Sequence, residues 1–312
     1  MIELRVRTRL SKAELEPKQG MVLGPRDYDV LLTGAAKVVK PDGKPLCVYL
    51  PGVLDKWTQN DTIYGILHEL RTLTTNNRGM SSGSGVARSP SGKRYAPTTS
   101  STIVGAFDPN SYRRYCRLTA WTGRNLPRWA ELNPFLRAIA DQLALHVPDR
   151  HRAQIEQVRR TQPAWIIEGT PFTTVTVNNT YPTGMHTDKG DLDAGFSTLA
   201  CLRRGGPYTG GALLFPEYRV GVEMRDGDLL LMDAHEWHAN TDIVCGCGRA
   251  LFGLCQTCGA ERISVVSYFR TAMVDCGDAP TEEERASRWW ARRGGADRAY
   301  MMDEDAIEES VT

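Results

Sequence analysis

The chain has 312 residues, 41% hydrophobic and 24% charged, with a net charge of +1. That is the composition of an ordinary globular protein, and the length allows one large domain or two small ones. No apolar run approaches the ~18 residues of a membrane span, and "MIELRVRTRL" at Met1–Leu10 lacks the apolar core of a signal peptide, so the expected location is the cytoplasm.

"DYDVLLTGAAKVVKPDGKPLCVYLPGVL" alternates apolar residues around Pro41–Gly43 and reads as a hairpin. "NDTIYGILHELRTL" reads as a helix with Asn60 or Asp61 as cap. Residues 76–102 are rich in Gly, Ser and Pro without a period and read as a long loop. This loop begins a basic stretch. From Arg78 to Arg128 nine Arg and Lys residues stand against Asp108 alone, a local excess of eight. Such asymmetry is either the footprint of a polyanion or a solvated face balanced by acids elsewhere.

"ELNPFLRAIADQLALHV" reads as an amphipathic helix capped by Asn133 with Pro134 in its first turn. "DRHRAQIEQVRR" follows as a shorter one. Beyond residue 170 the period becomes two. "FTTVTVN", "FSTLACL", "GALLFP", "VGVEM", "DLLLMD" and "RISVVSYF" are six strand-like runs separated by Gly- and Asp-bearing turns. "TEEERASRWWARRGG" reads as a helix capped by Thr281, followed by an acidic tail. The expected fold is α+β, a jelly-roll or barrel core at 170–272 with helices of the first half packed on it. The expected organisation is one domain over 1–276, then a C-terminal helix and tail over 277–312.

His186 and Asp188, in "GMHTDKGDLDAGFSTL", stand two apart. On a strand they would face one way and reach one ion. A facial triad of two His and one carboxylate needs one more His. Downstream, "DAHEWHAN" offers His235 and His238, and spacing does not choose between them. In "RISVVSYFR", Arg262 and Ser264 also share a face. An inward Arg needs a partner, either a protein carboxylate or a dicarboxylate cosubstrate gripped in a bidentate fork. His-x-Asp, His and Arg in this order are what an iron(II)/2-oxoglutarate oxygenase requires.

"GTPFTTVTVNNTYPTGMHTDKGDLDAGFSTL", "GGALLFPEYRVGVEMRDGDLLLMDAHEWHAN" and "ERISVVSYFR" together resemble the oxygenase domain shared by TET proteins and base-J-binding proteins, the phage-encoded members above all. "NNRGMSSG" and "YCRLTAWT" fit the same type, so the resemblance covers roughly residues 25 to 276. It implies a double-stranded β-helix that uses Fe(II), 2-oxoglutarate and O2. It implies oxidation of the 5-methyl group of a pyrimidine in DNA, with 5-methylcytosine preferred to thymine here, on a base flipped out of the duplex. If phage-encoded, the protein would work in the cytoplasm of a bacterial host. Carried over by motif, His186, Asp188 and His238 match the iron ligands, Arg262 matches the 2-oxoglutarate arginine, and Ser264 its helper. Tyr268, on the Arg262 strand, is the candidate for stacking on the base. Asp191, Asn178 and Arg270 are candidates for reading its edge. Arg78 and Arg117, in the basic stretch, are candidates for phosphate contact. The rival readings are a thymine hydroxylase of base-J type, a 2-oxoglutarate oxygenase with another substrate, and a DNA-binding jelly roll without catalysis.

Eight cysteines are present. Without a secretion signal, disulfides are not expected. Cys245, Cys247, Cys255 and Cys258, in the insert 243–260, form C-x-C-x7-C-x2-C. Four close thiols suggest a structural zinc site, with free thiols or a redox pair as the alternative.

Overall fold

In the computed structural model, residues 1–70, 101–110, 113–251 and 253–292 are described. The first half contributes strands β1 (Ile2–Arg5), β2 (Val30–Leu32), β3 (Ala36–Val39), β4 (Pro45–Leu50), β5 (Ser101–Phe107) and β6 (Arg117–Leu118). Between them lie helices α1 (Lys12–Leu15), α2 (Asp55–Thr58) and α3 (Asp61–Leu70), and after them α4 (Ala120–Arg124), α5 (Leu126–His146) and α6 (Pro148–Val158). The second half holds β7 (Thr174–Asn179), β8 (Ser197–Arg204), β9 (Tyr208–Gly210), β10 (Leu213–Phe215), β11 (Val220–Val222) and β12 (Leu229–Met232). It ends with β13 (Ala239–Asn240), β14 (Ile243–Cys245), β15 (Glu261–Tyr268) and helix α7 (Ala279–Arg292).

The strands form a large sheet in the order β1-β3-β4-β12-β8-β15-β7-β5-β6, facing a smaller sheet β13-β10-β11-β2. This is the double-stranded β-helix. Alternation along each strand explains both faces. Val175 and Val177 of β7 and Ile263 and Val265 of β15 point outward into a core shared with Leu67 of α3 and Phe135 and Ile139 of α5. Leu199 and Cys201 of β8, Leu230 and Met232 of β12 and Tyr49 of β4 point inward, against Leu213, Phe215 and Val222 of the small sheet. Arg262, Ser264, Val266 and Tyr268 share the inward parity. All six strands expected beyond residue 170 are present. The hairpin at Pro41–Gly43 joins β3 to β4, with Gly43 at φ 82° in the left-handed region the turn needs. Asn60 caps α3 by accepting the Ile63 N–H at 3.0 Å. Among the described residues, no helix is long and apolar enough to cross a membrane.

Four expectations need correction. The helix expected from Asn133 begins at Leu126 and runs through Pro134. Proline denies a hydrogen bond to the carbonyl four residues back, here that of Ala130. Both residues are exposed, so the freed oxygen is open to solvent, and the extra turn gains by packing Trp129 on the outer core. Ser101 and Thr102, expected at the end of the long loop, belong instead to β5, which pairs with β7; the rest of that expectation falls outside the described residues. Residues 71–100 lie outside the described set. Asp278, not Thr281, caps α7, accepting the Thr281 N–H at 2.9 Å. Finally, Cys116 and Cys276 form a disulfide with Cα atoms 5.8 Å apart. Buried Glu282 of α7 reinforces that junction by accepting the Cys116 N–H at 2.8 Å and the Gly277 N–H at 2.6 Å.

Candidate active site

His186 and Asp188 are not on a regular strand. His186 forms an isolated antiparallel bridge with His238, exchanging backbone hydrogen bonds of 3.0 and 2.9 Å. The Asp188 N–H donates to the Ala234 carbonyl at 2.9 Å. Backbone pairing therefore brings "HTD" beside "HEWHAN" across some fifty residues of sequence. The imidazole centroids are 4.2 Å apart.

The tautomers follow from acceptor chemistry. His186 Nδ1 lies 2.8 Å from the Gly184 carbonyl and His238 Nδ1 lies 2.9 Å from the Glu236 carbonyl. A carbonyl only accepts, so each Nδ1 carries the proton and each Nε2 turns a lone pair inward. Those lone pairs converge on Asp188, with Oδ1 3.3 Å from His186 Nε2 and Oδ2 4.0 Å from His238 Nε2. One ligand atom from each residue lies within 4.8 Å of the others. Bonds of about 2.1 Å would set the atoms of an octahedral face about 3 Å apart, so small rotations close the set on one cation. His186 Nε2 is buried without a hydrogen-bond partner. The donor set fits iron(II).

His235 is engaged elsewhere. It contacts Asp233 at 3.3 Å and Asp193 at 3.2 Å. The hydrogen bond its ring donates to Asp233, working against burial, pushes its pKa up to about 9. The tertiary structure thus separates the two histidines that spacing left equal. A raised pKa means the His235 contribution is full below the ordinary histidine value of 6.5 and lost as pH rises through about 9. His235→Gln should therefore lower stability most at pH 6 and converge on the parent above pH 9, as thermal melts across that range would read. An equal deficit at all pH values would refute this.

Gly184 positions the first ligand. A Cβ there would lie 2.4 Å from the Gly20 carbonyl oxygen, and Gly184 supplies the acceptor that orients His186. Gly184→Ala is expected to cost more than ~1 kcal/mol and to weaken metal affinity severalfold, measured by melting and by metal titration.

Arg262 is 1% exposed, with Nε 3.3 Å from Cys201 Sγ and Nη2 without a hydrogen-bond partner. No carboxylate of the described residues forms an ion pair with it. Leaving a guanidinium so costs several kcal/mol, which a ligand carboxylate would recover. Thr180 brackets the residue, donating its N–H to the Arg262 carbonyl at 2.6 Å and accepting the Arg262 N–H at 2.9 Å through its hydroxyl. Thr180 holds φ 44° to do so, a costly conformation for a β-branched residue. Ser264 lies two residues on, buried on the same face.

The other expected residues scatter. Asn178 on β7 sits beside Ser264 in register and accepts from Ser101 at 2.7 Å. Tyr268 is buried at the far end of β15, about 20 Å from Arg262 along the strand, its hydroxyl 3.1 Å from Thr176. Asp191 is buried and accepts from Ser197 at 2.7 Å. Burial, then the Asp188 charge, push its pKa up to about 7. Arg270 is not an open base-reading group. Its guanidinium is paired with Asp108 and stacks 4.1 Å over Phe107, which is how this Arg avoids the cost of burial. Arg117 packs on Phe107 and Tyr115, partly exposed. Arg78 lies outside the described residues. Cys201, Tyr208 and Thr180, which surround Arg262, were missed by sequence reasoning. Thr180 follows β7 and Cys201 faces inward by parity, but nothing local marks their contact with the arginine.

The four insert cysteines converge, their sulfurs all within 4.8 Å of one another. Backbone N–H groups of Cys258 and Thr257 reach Cys255 and pull its thiol down to about 6.

Compared with known proteins, the chain matches the family Tet_JBP, the oxygenase domain of the 2OGFeDO superfamily, over residues 107–271. The chain belongs to this family. As a Tet_JBP oxygenase it falls among enzymes that use iron(II) and 2-oxoglutarate. It is 32% identical over 176 residues to thymine dioxygenase JBP1 of Leishmania braziliensis, covering 55% of this chain and 20% of that one. Against JBP1 of Trypanosoma brucei brucei the identity is 32% over 200 residues, with 60% and 22% covered. The chain thus spans about a fifth of the length of these relatives. Among solved structures, NgTET1 in complex with 5mC DNA aligns at 14% identity and TM-score 0.48, covering 78% of this chain and 79% of that one. A 2OG-Fe(II) oxygenase family member from Burkholderia pseudomallei aligns at 14% identity and TM-score 0.34, covering 72% and 85%.

Proposed function

We propose that this Tet_JBP oxygenase oxidises the 5-methyl group of a pyrimidine base in DNA, 5-methylcytosine first of all, to the hydroxymethyl form. The observation that carries the oxygenase site is the pairing of two devices in one barrel. Three ligands converge, the two histidines with their tautomers fixed, and a buried arginine on the inner face has an open donor. His186, Asp188 and His238 would hold the iron. Arg262, with Ser264, would take the distal carboxylate of 2-oxoglutarate. Iron and 2-oxoglutarate, when bound, would supply the oxidising power: O2 would convert 2-oxoglutarate to succinate and CO2, one oxygen atom entering succinate and the other the hydroxymethyl product.

The chain's own residues bind, orient and exclude water. A methyl group inside a duplex cannot reach a site in a barrel interior, so the base must leave the stack. Tyr268, Asn178 and Asp191, buried on or beside the inner face, are the candidates to wall the base pocket. Arg117, with Arg78 in the adjoining basic stretch, is the candidate for phosphate contact, and binding should weaken steeply with salt. The organisation proposed is one oxygenase domain over 1–276 with α7 docked on it.

Thymine is the second reading, favoured by the JBP1 relatives, which are thymine dioxygenases. Incubation with iron, 2-oxoglutarate and DNA carrying 5-methylcytosine or only thymine, followed by nucleoside mass spectrometry, tests both. Hydroxymethylcytosine supports the first reading and hydroxymethyluracil the second. With neither product, the methylpyrimidine reading fails. 2-Oxoglutarate turnover alone would then point to another substrate, and its absence to a binding jelly roll.

A further inference from the structure

The four insert cysteines sit at the mouths of two similar turns. In the first, the Gly248 N–H returns to the Cys245 carbonyl at 2.8 Å. In the second, the Gly259 N–H returns to the Cys255 carbonyl at 2.9 Å. Each turn closes on a glycine in the left-handed region, Gly248 at φ 77° and Gly259 at φ 67°. Each therefore presents two sulfurs to the same point. The cysteines are free thiols, and Cys245 and Cys255 sulfurs are 3.7 Å apart. A disulfide needs about 2.05 Å. A tetrahedron of zinc–sulfur bonds of about 2.3 Å needs sulfurs about 3.8 Å apart.

The knuckle is joined to the wall around Arg262 on two sides. On one side, the Gly206 N–H donates to the Cys258 carbonyl at 3.0 Å and the Gly246 N–H to the Pro207 carbonyl at 2.7 Å. The approach is close enough that a Cβ on Gly205 would fall 1.8 Å from the Gly259 oxygen. Cys245 pairs with Tyr208 across β14 and β9, and the Tyr208 hydroxyl lies 3.8 Å from Cys201 Sγ, the atom that holds Arg262 Nε. On the other side, the Gly253 N–H donates to the Thr180 carbonyl at 3.3 Å, and Thr180 brackets Arg262.

We propose that Cys245, Cys247, Cys255 and Cys258 bind one zinc ion, and that this zinc knuckle is a positioning device for the cosubstrate arginine. The positioning half rests on the oxygenase reading above; the metal half does not. Four thiolates from two turns close a tetrahedral site with no open position, which makes the ion structural. Its removal would leave the insert to fray and release Tyr208 and Thr180 from Arg262.

The test uses the full chain purified without chelator, with metal content by mass spectrometry, cobalt substitution read by visible absorption, and 2-oxoglutarate affinity by calorimetry under nitrogen. Cys247 is exposed, so Cys247→Ser should still fold. Expected are one zinc per chain in the parent, none in Cys247→Ser, tetrahedral cobalt bands in the parent, and 2-oxoglutarate binding weakened by about tenfold in the variant. Cys247→His should restore both zinc and affinity. A parent chain that takes up neither zinc nor cobalt overturns the site. Zinc loss with unchanged 2-oxoglutarate affinity overturns the positioning role. A zinc-loaded parent that binds no 2-oxoglutarate leaves the knuckle standing and removes the oxygenase reading.

Discussion

His186→Ala is expected to abolish product, lowering turnover by at least about two orders of magnitude, while His235→Ala retains metal. The reasoning is comparative. Even the outer partners that orient a metal ligand contribute about 10–100-fold, and His186 is itself one of three convergent donors, with a buried Nε2 that has no other use. His235 lies three residues from His238 but is held by Asp233 and Asp193. Anaerobic titration with iron(II) or manganese(II), with nucleoside mass spectrometry in parallel, separates the two variants. Product from His186→Ala, or loss of metal from His235→Ala alone, would overturn the ligand assignment.

Arg262→Met should act in opposite directions on stability and on binding. In the absence of cosubstrate, the parent buries a guanidinium with an open Nη2. Even a buried ion pair is often replaced by apolar side chains of similar volume neutrally or with a gain of up to about 1–4 kcal/mol, so replacing an unpaired guanidinium should not destabilise the fold. If Arg262 takes the cosubstrate carboxylate as proposed, the same change would remove its bidentate partner, worth about 3–5 kcal/mol when broken from one side. That is roughly 100-fold or more in 2-oxoglutarate affinity. Melting curves with and without 2-oxoglutarate read both effects. The parent should gain stability with ligand, as mass action requires, and the variant should start no lower and gain nothing. A variant that melts far below the parent and still responds to 2-oxoglutarate would show that Arg262 serves an internal ion pair instead.

Local pattern carried much of this protein. The two-residue period from Thr174 onward marks six strands, because each strand buries one face and the side chains alternate. Parity on the last strand places Arg262 and Ser264 together for the same reason. The turn at Pro41–Gly43 and the start of α3 at Asn60 are written in the residues that make them. The residues of the candidate iron site were legible as types at spacings, and so were the four insert cysteines.

Partnership between distant segments was not legible. The family resemblance favoured His238 over His235, but spacing did not, and the physical ground is the bridge to His186, made by backbone groups that every residue carries. Arg270 looked available until the fold brought Asp108 to it, and Cys116 and Cys276 find each other across 160 residues. The start of α5 turned on packing: burial of Trp129 favoured a turn that Pro134 alone argued against. Periodicity and turn chemistry are properties of a few consecutive residues, so a single sequence displays them. Burial, ion pairing and metal convergence belong to contacts between segments, and only the folded chain decides which segments meet.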